Sequence, residues 1–296
     1  MSSGLTIRSE QHCLGGTIGF YSHDSATTGT EMRFGVFQPP QAKAGPVPAL
    51  YYLAGLTCNE ETFLIKAGAL RLAAELGLML IAPDTSPRGL NLPGEHESWD
   101  FGVSAGFYLD AEAEPWARHY RMYSYVTAEL PALIEASFPV RPDRRGIFGH
   151  SMGGHGALII ALKNPERYQS VSAFAPITNP TAVPWGEKAF GNYLGPNRAR
   201  WAAWDASLLM RARPYPGAIL VDQGLADKFL ESQLHPQALE TAAAASGQAL
   251  TLRRHAEYDH SYWFIQTVIA DHLQWHARSL CDAKAAGVDQ AMTTGG

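Results

Sequence analysis

The chain runs to 296 residues, 46% hydrophobic and 17% charged, enough apolar material to bury a large core in one α/β domain. A net charge of −5, without any basic run, gives no footing for a nucleic-acid surface or an anionic membrane, and no stretch of about 18 apolar residues is present to span one. Three scattered cysteines, Cys13, Cys58 and Cys281, make neither a disulfide framework nor a zinc pattern, and the opening residues lack a basic-then-apolar segment, so the expected location is the cytoplasm.

Residues 12–20 and 31–37 alternate as antiparallel edge strands around a polar turn at 22–30, and a Pro-rich connector leads from Pro39 to Pro48. A short apolar strand at 49–54, a helical period over 60–76 ending at Gly77, and the apolar strand 78–83 begin a β-helix-β alternation of the buried, parallel kind. Residues 84–115 form a loop too long to be a mere connector, of the sort that lines sites. A helix over 121–137, a strand at 145–149, a helix at 152–163 stopped by Asn164-Pro165 and a strand at 170–175 continue the alternation. The segment 176–216, with Pro176, Pro180, Pro184, Trp185 and Trp201 among its residues, interrupts it and reads as an insertion over the C-terminal edge of the sheet. A strand at 218–222, a helix near 231–246, a strand near 249–255 and a helix near 261–279 complete it, giving one domain over 1–281; the Ala/Gly/Thr-rich tail 282–296 is expected to be disordered.

The chemistry centres on Gly149-His150-Ser151-Met152-Gly153, a G-x-S-x-G nucleophile elbow flanked by an apolar run and a small-residue helix. The elbow holds its serine at unfavourable backbone angles, and Gly149, Gly153, Gly154 and Gly156 allow the strand and helix to approach closely. Ser151 then stands at a helix N-terminus, where the Met152 N–H can donate to an oxyanion. A serine hydroxyl needs a base and a group that orients the base, in the chain order Ser, acid, His. Asp227, in the loop after a late strand, is the preferred acid; Asp222 is the rival, but sits at the strand's end with less freedom to reach across. Among the histidines after the acid, His260 lies in the loop between the last strand and last helix, where the third member belongs. His255 falls in a strand and reads as structural; His272 and His276, spaced i,i+4, could share a metal but read better as a solvated helix face. His150 and His155 precede the acid, and packing or hydrogen-bonding roles suit both. The second oxyanion donor is the backbone N–H of Leu56, in the loop Gly55-Leu56-Thr57-Cys58-Asn59; Cys58 is then either a small buried residue or an accessible, oxidisable thiol.

With those residues assembled, the chain closely resembles the S-formylglutathione hydrolases of the esterase D family, in stretches spread over nearly its whole length: 53–60, 82–89, 98–108, 120–126, 149–156, 184–190 and 259–262. Ala54 stands where the family usually has serine, and the residues beyond Leu280 fall outside the resemblance. The resemblance implies an α/β-hydrolase fold, with a mostly parallel sheet, helices on both faces and an insertion over the active site. It implies Ser151, Asp227 and His260 as triad, Leu56 and Met152 as oxyanion donors, no cofactor or metal, and a homodimer as assembly. The substrate it implies is a small molecule, the thioester S-formylglutathione, hydrolysed to glutathione and formate in formaldehyde detoxification. A formyl group needs a cramped pocket, for which Trp185 is the expected wall; Gly55, Cys58 and His150 are further substrate-binding candidates, and Lys188 could meet a glutathione carboxylate or be a plain surface lysine. A general short-chain carboxylesterase or an acyltransferase shares the triad chemistry, and a non-catalytic binding protein of the same fold is the alternative of another class.

Overall fold

The computed structural model describes residues 4–281; the expected disordered tail lies outside them. Nine strands form one sheet in the order β1-β2-β3-β5-β4-β6-β7-β8-β9. They are β1 (Thr6–Cys13), β2 (Gly16–Asp24), β3 (Glu31–Gln38), β4 (Val47–Leu53), β5 (Met79–Pro83), β6 (Val140–His150), β7 (Ser170–Phe174), β8 (Ile219–Gly224) and β9 (Leu250–His255). The first three pair antiparallel and β3 meets β5 antiparallel; from β5 to β9 every pairing is parallel. Strands β4 and β5 are buried at every position, which is why they read as apolar runs; β7 is equally buried but carries Ser170 and Ser172.

The helices are α1 (Thr62–Lys66), α2 (Leu70–Leu76), α3 (Met122–Ser124), α4 (Leu130–Ser137), α5 (Met152–Lys163), α6 (Pro184–Tyr193), α7 (Arg198–Trp201), α8 (Ala206–Ala212), α9 (Pro236–Ser246) and α10 (Tyr262–Leu280). Helix α5 is buried along its length apart from Lys163, pressed between β4, β6 and β7 on one side and α8 on the other. Helix α10 covers the opposite face, against β6, β7, β8 and α2, so two apolar cores sandwich the sheet. This is the α/β-hydrolase fold.

Several elements differ from the sequence reading for identifiable reasons. The edge carries three antiparallel strands rather than two, joined first by a tight turn at Leu14-Gly15 with positive φ at both residues (52° and 78°). Strand β1 is polar and mostly exposed, so it lacks the alternation that reveals a half-buried strand. The helical period over 60–76 is cut in two by Gly68, at φ +68°, and ends in a left-handed Gly77. The helix over 121–137 contains a π turn at Tyr125–Glu129, and the one near 231–246 starts afresh at Pro236 after His235 turns left-handed.

Candidate active site

Strand β4 pairs with β5 on one side and β6 on the other, so the order of connection reverses beside it. At such a switch point the loops after adjacent strands diverge and leave a crevice at their C-terminal ends. Leu53 at the end of β4 lies opposite Gly149 at the end of β6, which brings the loop 54–58 against the elbow.

Ser151 follows β6 with φ 58° and ψ −118°, a region that costs a non-glycine residue energy and persists only where the surroundings enforce it. They do: its N–H donates to Phe174 O (3.0 Å) and its carbonyl accepts from His155 N (3.0 Å) and Ile177 N (3.3 Å). A Cβ on Gly153 would sit 1.9 Å from Leu53 O, so only glycine lets the elbow close onto β4. Gly55 approaches from the other side, where a Cβ would lie in tight contact, 3.2 Å from Ser151 Cβ.

Asp227 follows β8 and His260 follows β9, and the two loops are stitched together by Leu225 N donating to His255 O (2.8 Å) and Ala226 N to Tyr258 O (2.9 Å). The Asp227 carboxylate accepts from Phe229 N (2.8 Å) and meets His260 Nδ1 at 2.5 Å. This bond fixes the ring so that Nε2 is its remaining nitrogen. Ser151 and His260 line one cleft of about 550 Å³ together with Leu56, Cys58, His150 and Trp185. Asp222 is elsewhere: it is buried in β8, held by Arg253, His255 and His272.

Met152 opens α5, where a helix leaves its first N–H groups without intrahelical partners. Leu56 N–H makes no backbone hydrogen bond among the described residues, whereas its neighbours do, Thr57 N to Ser104 O (3.2 Å) and Cys58 N to Gly55 O (3.3 Å). The long loop after β5 braces this segment. Thr85 Oγ1 donates to Cys58 O (2.6 Å), and Arg88, clamped on Asp84 at 2.5 and 2.7 Å, also reaches Ser104 Oγ (2.9 Å). Tyr108 OH donates to Ala54 O (2.9 Å). The bonds from Thr85 and Tyr108 are not legible from residue spacing, because they act across 27 and 54 residues.

The profile of the putative esterase family matches residues 25–277. An S-formylglutathione hydrolase from Mus musculus is 54% identical over 92% of this chain and 97% of its own length. One from Paracoccus denitrificans is 52% identical over the same shares. A solved structure of an S-formylglutathione hydrolase from Agrobacterium tumefaciens superposes with a TM-score of 0.91 at 51% identity, covering 93% of this chain and 99% of that one. The chain belongs to the S-formylglutathione hydrolase family.

In this family member the cleft is walled by aromatic rings. Trp185 is 5% exposed, its backbone N–H donates to Gln233 Oε1 (2.9 Å), and its ring packs on Phe229 (4.6 Å) and edge-on to Trp99 (5.6 Å). His150 lies 4.4 Å from the His260 ring; burial, then the neighbouring His260, holds it well below the usual histidine range, so it is neutral, and neither ring nitrogen finds a partner. Burial also pushes the Cys58 thiol up, against hydrogen bonds from Thr62 and Tyr262, so this thiol is not an activated one.

Lys188 is not a cleft residue. It donates to Ser98 Oγ (2.7 Å) and Asp100 Oδ1 (2.5 Å), tying α6 to the long loop. The lysines that do line the cleft, Lys66 and Lys228, are absent from the sequence reading, since nothing in their local pattern distinguishes them from surface charges. His272 and His276 are not a solvated face either: both are fully buried, because α10 turns them onto Ser170, Ser172 and Asp222 of the sheet.

Proposed function

We propose that this chain hydrolyses S-formylglutathione to glutathione and formate through a formyl-serine intermediate. The observation that carries the reading is the convergence of Ser151, at a strained elbow, and an Asp227-bonded His260 in one cleft. His260 Nε2 takes the Ser151 hydroxyl proton as Oγ attacks the thioester carbonyl. Asp227 holds the tautomer and stabilises the imidazolium that forms. The N–H groups of Leu56 and Met152 receive the oxyanion. Collapse breaks the C–S bond, and the proton on His260 goes to the departing sulfur. Water, deprotonated by the same imidazole, then attacks formyl-Ser151; formate leaves and the proton returns to Ser151 Oγ.

No step calls on a metal or organic cofactor. The Trp185 wall suits a one-carbon acyl group, and His150 lines the same cleft beside the base. The reading extends to the cytosol as workplace, which agrees with three free cysteines, and to a homodimer as assembly, for which light scattering should give twice 32.2 kDa.

The test is kcat/KM for S-formylglutathione, S-acetylglutathione and a short p-nitrophenyl ester. A strong preference for the formyl thioester, lost in Ser151→Ala, is expected. Equal rates on all three would make the protein a general short-chain esterase, and a fully active Ser151→Ala would overturn the mechanism.

A further inference from the structure

The described residues include five lysines, and three are spoken for: Lys43 donates to Gly15 O, Lys163 to Ala203 O, and Lys188 is paired with Asp100. The other two, Lys66 and Lys228, have no hydrogen bond or ion pair among the described residues, and both line the cleft that holds Ser151 and His260. No aspartate or glutamate is in that lining; an acid in the surroundings, Asp259, lines a neighbouring pocket with Lys228 and is bonded to Ser261. The two lysines also arrive from opposite directions. Lys66 ends α1, which follows β4; Lys228 follows β8; and β6, which delivers Ser151, lies between those two strands in the sheet. Lys228 is further fixed by its ammonium lying 4.9 Å from the centre of the Phe229 ring, itself a cleft wall.

A glutathionyl thioester has a matching layout. Its reacting sulfur is on the central residue of a tripeptide, and a free carboxylate stands at each end, on the γ-glutamyl and glycyl residues. We propose that Lys66 and Lys228 are the carboxylate-binding pair of this site, one on each side of the nucleophile, and that they select the anionic thioester over neutral acyl donors. This rests on the substrate reading above. Both lysines are solvent-facing, so the attraction is screened and each contact is worth a modest factor, with KM rising as salt is added.

The experiment is a cycle of enzyme against substrate. Wild type, Lys66→Gln, Lys228→Gln and the double variant are each measured on S-formylglutathione and on the same thioester methylated at both carboxylates. Fluorophosphonate labelling of Ser151 normalises the amount of folded enzyme. Each single variant should lose roughly three- to tenfold in kcat/KM on S-formylglutathione, mainly through KM, with arginine at either position restoring most of it. On the diester the loss should shrink below about twofold. An equal loss on both substrates would mean that the lysines act through structure rather than through carboxylates, and no loss on either would remove them from the site; both outcomes overturn the pairing. Failure of the substrate reading looks different: wild type itself would fail to turn over S-formylglutathione.

Discussion

Two aspartates, Asp222 in strand β8 and Asp227 just after it, hold histidines, and only one of them faces a cleft. Asp227 meets His260 Nδ1 at 2.5 Å, with the histidine side chain 15% exposed. Asp222 meets His272 Nε2 at 3.0 Å, with both side chains fully buried, and the other nitrogen of His272 bonds Ser172 Oγ at 2.8 Å. The second set is therefore also a serine, a histidine and an aspartate in contact. It is not a catalytic arrangement. Ser172 Oγ is bonded again to His276, and Asp222 is neutralised by two bonds from Arg253, so no charge is left to stabilise an imidazolium. Burial alone would raise the Asp222 pKa; the hydrogen bonds from His272 and Arg253 outweigh it and hold the carboxyl below its usual range. Residue identity and contact are shared between the two sets, and access and a free charge are what separate them.

The comparison is broken most sharply at the serines. Ser151→Ala should cut kcat by roughly 10⁴-fold or more and abolish fluorophosphonate labelling, with little change in melting temperature. Ser172→Ala should leave kcat per folded molecule within about twofold while lowering stability by about 1–3 kcal/mol, because two buried imidazoles lose a partner. Loss of activity in Ser172→Ala at full folding would mean that the buried set takes part in the chemistry. At the acids, Asp227→Asn should cost roughly 10³–10⁴-fold in kcat by releasing the His260 tautomer. Asp222→Asn should instead cost about 2–4 kcal/mol of stability, toward the low end for a broken buried pair because Arg253 is a third exposed and can turn to water. Denaturant midpoints and single-turnover rates on both variants separate these outcomes.

How much of this was legible in the sequence follows from what each feature depends on. The order of strands, the elbow and the preference for Asp227 over Asp222 rest on local pattern: apolar runs, glycines beside a serine, and whether an acid falls within a strand or after it. In the structure Asp222 is locked inside β8, and Asp227 is in the loop after it, bonded to His260. The environment of His272 and His276 was not legible, since an i,i+4 pair on a helix looks the same whether it faces water or serines on a sheet. Nor was the bracing of Leu56 by Thr85, Arg88 and Tyr108, which the chain assembles only when the loop after β5 folds over the one after β4. Strand β1 escaped because an exposed edge strand needs no alternation.

The buried region as a whole answers to pH. Burial, opposed by the hydrogen bond with Phe107 O, pushes His155 down to about 4; burial likewise lowers His276, and lowers His272 in spite of Asp222. In the unfolded chain all three return to a pKa near 6.5. Below that pH the unfolded state binds protons that the native state refuses, so stability falls as pH drops from about 6.5 toward 4, and these groups change nothing between 6.5 and 8. Each contributes at most about 1.4 kcal/mol per pH unit over that window. Asp222 adds its own loss only lower, below about pH 4, as its carboxylate is protonated. Calorimetric melting temperatures should hold from pH 8 to 6.5 and then decline; His155→Gln, which can still donate to the Phe107 carbonyl, should make the decline shallower by one group. A profile flat down to pH 5 would show that the buried imidazoles accept protons in place, which would remove the burial argument that sets the Asp222 array apart from the cleft.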